Sequence, residues 1–149
     1  GSNPHTAVLG RIPGSDQFGD VERQPENEQV PGILIYRVDA GIFFANAESI
    51  QEQILDRVKE HQPGCRLVII DLETTPNLDY AGAQMLIELR TRLERQGVEL
   101  RLAKANGRVR DVLRKLDVAE EFGVPKPGIT ITNAIETWQS QTNTKPETE

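Results

Sequence analysis

After Pro31 the chain alternates short apolar runs with stretches whose apolar residues recur at helical spacing. Ile33-Leu34-Ile35-Tyr36-Arg37-Val38 is a β-rich run opened by Pro31-Gly32. Ile42-Phe43-Phe44, beyond the Asp39-Ala40-Gly41 turn, reads as its antiparallel hairpin partner. Helical spacing begins at once: Ala47, Ile50, Ile54 and Val58 line one face. Asn46 is placed to cap the first turn, Glu48 to complement the helix dipole, and Pro63-Gly64 to end the helix. Arg66-Leu67-Val68-Ile69-Ile70-Asp71-Leu72 is continuously apolar rather than alternating, which predicts a strand in the middle of a covered sheet.

A second helix is predicted from about Asp79 to Gln96, with Leu86, Leu89 and Leu93 on its inner stripe and Gly97 as a left-handed stop. Val98 to Ala103 is the next strand. After Asn106-Gly107, Val109, Val112, Leu113 and Leu116 share the face of a third helix that must be buried. Phe122 to Gly128 is a proline-bearing connection, Ile129 to Ile131 a short extended piece, and Asn133 to Ser140 a last helix packing Ile135 and Trp138. Before Pro31 the pattern is different. Apart from a short strand near Thr6 to Leu9, the prolines and glycines among polar residues predict an irregular arm, placed against the domain's own sheet, against membrane helices, or packed on itself. The organisation is then a tag remnant and start of the arm at 1–3, one domain at 4–140 (strand and arm 4–32, α/β core 33–140), and a disordered tail at 141–149. Strands that alternate with helices predict right-handed crossovers, which make the later strands parallel: a small mixed-sheet α/β domain.

Composition narrows the function. A chain of 149 residues is one domain in size, and with aromatics at 5% the core must be aliphatic. Its longest apolar runs, Leu67 to Ile70 and Ile42 to Ala45, fall far short of the roughly 20 residues of a membrane-spanning helix. The start carries Pro4, His5, Arg11 and Pro13 where a signal peptide would be apolar. The lone Cys65 fits a reducing setting without disulfides. A net charge of −6 argues against nucleic acid. The local exception is the run holding Arg101, Lys104, Arg108, Arg110, Arg114 and Lys115. It reads as a solvated helix face, or as a surface for anionic lipid or an acidic partner if those residues share a side.

The candidate site is the loop from Thr74 to Gly82, where a strand end feeds a helix start and backbone N–H groups gather that can hold an anion or a nucleotide phosphate. Its residues are Thr74, Thr75, Asn77, Asp79, Tyr80 and Gly82. A plainer reading stands beside it: Asp79 or Asn77 is a helix cap, and Gly82 is small because the helix packs close. Asp71, Glu73 and Asp79 are the clustered carboxylates, with Asp71 and Glu73 on one side of a strand, but nothing completes a catalytic set around them. His5 and His61 lie in the arm and at a helix end, away from any nucleophile or metal-ligand spacing. The chain reads as no enzyme, with no metal and no cofactor.

Leu9-Gly10-Arg11-Ile12-Pro13-Gly14, then Pro31-Gly32-Ile33-Leu34-Ile35-Tyr36-Arg37, then Phe43-Phe44-Ala45-Asn46-Ala47 resemble the C-terminal domains of SulP-type anion carriers. Asp71-Leu72 and Asp79-Tyr80-Ala81-Gly82-Ala83 resemble the strand and helix-start loop of STAS domains, and the resemblance covers nearly the whole chain. It implies a STAS-like, anti-sigma factor antagonist-like mixed sheet of about four or five strands with about four or five helices. It picks out Gly10, Arg11, Pro13, Gly14, Phe44 and Asn46 as motif positions. It also implies a non-catalytic cytoplasmic domain at the inner face of the plasma membrane, following a membrane part that carries inorganic anions of the sulfate or bicarbonate class. The partners it implies are that transmembrane domain, a nucleotide, an anion or a soluble protein, and a second copy as a homodimer. The alternative is a soluble anti-sigma factor antagonist, whose matching loop carries a phosphorylatable serine after an aspartate like Asp79. Here that position is Tyr80, whose hydroxyl sits too far out, so Thr74 or Thr75 would have to be modified instead.

Overall fold

The computed structural model describes residues 5–61 and 64–143. Its elements are β1 (Thr6–Arg11), β2 (Phe18–Asp20), β3 (Ile33–Val38), α1 (Phe44–Glu60), β4 (Leu67–Asp71), α2 (Tyr80–Glu94), β5 (Glu99–Ala103), α3 (Gly107–Lys115) and α4 (Ile131–Asn143). The strands form one mixed sheet in the order β2-β1-β3-β4-β5. The β3, β4 and β5 strands are parallel, in register from Ile33 to Leu67 to Glu99. β1 runs antiparallel to both of its neighbours.

The two-residue period of the strands divides the core into two layers. Leu34, Tyr36, Val68, Ile70, Leu100 and Leu102 face the layer that includes Ile50, Ile54, Leu86, Leu89 and Val109 of α1, α2 and α3. Ile33, Ile35, Leu67, Ile69 and Ala103 face Ile131, Ile135 and Trp138 of α4. Cover on both faces is why β4 is apolar from Leu67 to Ile70, and all five of its residues, Asp71 at its end included, are buried. It is an interior strand, with β3 rather than β4 at the sheet's centre.

Four expectations are corrected. Ile42-Phe43-Phe44 is no hairpin strand: β1 already holds the antiparallel edge of β3. Ile42 instead makes a single parallel bridge to Leu78, and Phe44 is already helical. The arm is not irregular throughout. β1 extends to Arg11 and turns through Pro13 and Gly14 (φ 78°), where Ile12 N–H donates to Gln17 O (2.8 Å). β2 then pairs back on Leu9, Gly10 and Arg11. Periodicity could not show a three-residue strand. Ile131 belongs to α4, not to an extended piece, because Thr130 and Asn133 cap that helix reciprocally. The same helix runs on to Asn143, past residue 141, where a disordered tail was expected to start. Residues 144–149, Pro63 and the tag remnant lie outside the described residues. As expected, Gly97 takes a left-handed conformation just beyond α2 (φ 77°).

Candidate functional site

The parallel strands β3, β4 and β5 all end at one edge of the sheet, and there α1, α2 and α3 begin. The predicted loop lies in the middle of this edge. Asp79 caps α2 by accepting from Gly82 N–H with Oδ1 (2.7 Å), and its Oδ2 accepts from Phe44 N–H in the first turn of α1 (3.2 Å). One carboxylate therefore serves two helix N-termini. The adjoining backbone is stitched to the same place: Ile42 N–H donates to Asn77 O (3.0 Å) and Asp79 N–H to Ile42 O (3.2 Å). A Cβ on Gly82 would stand 2.4 Å from Ile42 O and 2.8 Å from Leu78 Cδ1, so this approach requires glycine.

Thr75 is fully buried and donates from Oγ1 to Val38 O (2.7 Å). Thr74, beside it, is exposed and donates to Val38 O (3.3 Å) and to Asp39 Oδ1. Asn77 is exposed and accepts from Arg108 Nη1 (3.5 Å), while Asn106, the cap of α3, donates to Pro76 O (3.1 Å). The loop thus brings Thr74, Asn77, Asp79 and Tyr80 to one surface and sends Thr75 into the core. Asn46 lies one turn inside α1 rather than at its cap. Its Oδ1 accepts from Phe43 N–H (2.8 Å) and its Nδ2 donates to Gly41 O (2.8 Å), which fixes the start of the helix from within. Gly10, Arg11, Pro13 and Gly14 stand apart, in the β1–β2 hairpin, where Arg11 exchanges backbone hydrogen bonds with Glu28 (2.7 Å each) and lays its guanidinium over Phe18 (5.6 Å).

The carboxylates do not converge. Asp71 Oδ1 accepts from Glu73 N–H (2.9 Å) in a turn beyond β4, so Glu73 leaves the strand and pairs with Lys104 (3.1 Å). Burial pushes the Asp71 carboxyl up against the pull of that N–H and of Lys104. Asp39, which the sequence reading missed, pairs with Arg37 (2.7 Å). Burial pushes its carboxyl up, but the hydrogen bonds from Arg37 and Thr74 and the charges of Arg37 and His5 outweigh this and hold it below the ordinary aspartate value. His61 Nε2 lies 3.1 Å from Ile33 O, at the opposite end of β3 from the loop, which meets Val38.

The basic run does not share a side. Arg101 bonds Glu99 (2.6 Å) and Gln141 of α4 (2.7 Å) on one face of the sheet, whereas Arg108, Arg110, Arg114 and Lys115 ride on α3 across the other. A feature the sequence hid is aromatic exposure at this edge: Phe44 is 84% exposed, Tyr80 66% and Phe43 40%. The only signal was the Phe43-Phe44 pair itself, and it sat in a run read as a strand.

A family model described as "STAS domain" matches residues 24–137. "High affinity sulfate transporter 2" of Stylosanthes hamata is 32% identical over 95% of this chain, which spans 22% of that protein's length. Among solved structures, the murine Solute Carrier 26 family member A9 anion transporter in the inward-facing state superposes with a TM-score of 0.79 at 18% identity, over 93% of this chain and 22% of its own. A putative anti-sigma factor antagonist from Thermotoga maritima superposes with a TM-score of 0.62 at 16% identity, over 75% of this chain and 92% of its own. Both structural likenesses are likenesses of fold.

Proposed function

The chain belongs to the STAS domain family, and on that premise we propose that it is the cytoplasmic domain of a SulP-type inorganic anion carrier, of the sulfate or bicarbonate class. In this reading it regulates or assembles the carrier through protein, anion or nucleotide contacts and catalyses no reaction. One observation carries the proposal. The identity to a sulfate transporter extends over 95% of the chain, including the β1–β2 hairpin and arm, whereas the antagonist fold accounts for 75%.

The loop chemistry agrees with a contact role rather than a catalytic one. The amides of Gly82 and Phe44 that would receive an anion are taken by Asp79, and the exposed groups around them include Thr74, Asn77 and the rings of Phe44 and Tyr80. The partner-switching alternative is disfavoured by Tyr80, whose ring carries its hydroxyl beyond the helix start where a serine phosphate would be held. Reading the native gene upstream of this chain tests the proposal. A carrier requires a preceding run of roughly ten or more hydrophobic helices in the same reading frame. A gene without them overturns the reading.

A further inference from the structure

The groove between α1 and α2 has no role in the account so far. It opens at the helix N-termini beside Phe44, Ala45 and Ala81, has Met85 in its wall, and encloses about 690 Å³. Its exposed rim carries Glu48, Glu52 and Glu88 against a single cation, Arg92. Arg92 Nη1 is held by Gln51 Oε1 (3.2 Å). Gln51 is only 6% exposed, and its Nε2 is buried with no hydrogen-bond acceptor in the structure. A nearly bare Phe44 and a net-negative rim together describe a partner with an apolar anchor and basic side chains.

The position of the groove narrows the partner further. Thr6 pairs with Val38, the last residue of β3, and Asp39 N–H donates to His5 O (2.9 Å). β1 therefore starts at the sheet edge where α1 and α2 begin, and whatever precedes β1 in a carrier is attached beside the groove's open end. Cytoplasmic segments of membrane proteins carry an excess of Lys and Arg next to apolar helix ends.

Resting on the carrier reading above, we propose that the α1–α2 groove, with Phe44 at its mouth and Tyr80 next to Ala81 at the start of α2, docks a basic cytoplasmic segment of the carrier's own membrane part. Phe44 anchors against the apolar helix end, and Glu48 and Glu88 face its Lys or Arg.

The test uses the full-length gene product in its own membrane, with a photo-crosslinking phenylalanine analogue at position 44, at position 80, or at the exposed position 136 on the opposite face as control. Irradiation and peptide mapping should join positions 44 and 80 to a Lys- or Arg-bearing cytoplasmic segment of the membrane part, and position 136 to none. Glu48→Lys with Glu88→Lys should lower that product about tenfold, while thermal unfolding of the isolated domain stays unchanged because both side chains are exposed. Cross-links to a second copy of this domain, to lipid or to a soluble protein, or no cross-link at all, overturn the docking face and leave the carrier reading standing. A gene product that fractionates away from membranes sinks both, and does so before any irradiation.

Discussion

Removing the Asp79 side chain takes the acceptor from Gly82 N–H and Phe44 N–H together, so two helices lose their N-terminal bond in one substitution. Asp79→Ala is expected to cost about 2 kcal/mol, the upper end for a single cap, as measured by urea unfolding of the isolated domain. Gly82→Ala places a methyl group 2.4 Å from a backbone oxygen that two hydrogen-bonded segments hold still. It should destabilise by about 1–3 kcal/mol in the same assay.

Asp71 and Asp39 give opposite pH signatures. The Asp71 carboxyl is pushed up by burial, so as pH rises the unfolded chain gives up this proton first. The stability it contributes is present below the ordinary aspartate value of about 3.9 and is lost as pH climbs through the folded value. Asp71→Asn should therefore gain on the parent at neutral pH, and the gain should vanish in acid. For Asp39, burial is outweighed by Arg37 and Thr74 and the carboxyl is held down. Its contribution is present above about 3.9 and lost as pH falls through the folded value. Asp39→Asn should be the weaker fold at neutral pH and approach the parent in acid. Urea midpoints of both variants across pH 3 to 8 would show the crossing, or its absence.

At the scale of elements, Asn46 decides where α1 starts. Asn46→Ala removes bonds to Phe43 N–H and Gly41 O at a buried position, and about 1–3 kcal/mol should go with them. Loss of amide-exchange protection confined to the first turn of α1 would mark the cause. The same residue explains what sequence could and could not convey. The helical stripe Ala47, Ile50, Ile54, Val58 was legible because periodicity is a local property. The conformation of Ile42-Phe43-Phe44 was not, because it depends on β1 having already taken the edge of β3, a pairing between residues some thirty positions apart. In the candidate loop, Asp79 and Gly82 were legible as cap and small residue. The reach of Asp79 to Phe44, 35 positions away, and the joining of Thr74 to Asp39 belong to the tertiary fold and leave no periodic trace.

For the whole molecule, the segment before Pro31 is structural. Leu9 and Ala7 belong to the α4-side core, and β1 with β2 covers the long edge of β3. A chain beginning at residue 31 would leave one edge of that apolar strand open, with β4 still paired to the other, and should elute from a sizing column as aggregate while the full chain does not.

The place of β1 also has a mechanical consequence. It lies between β2 and β3 with its ladder hydrogen bonds running across its length, antiparallel to the centre strand. Tension applied along the backbone at His5 loads those bonds in shear, all at once, instead of peeling them one after another. The strand therefore resists such a pull with its whole ladder, and the load passes directly to β3 at the centre of the sheet.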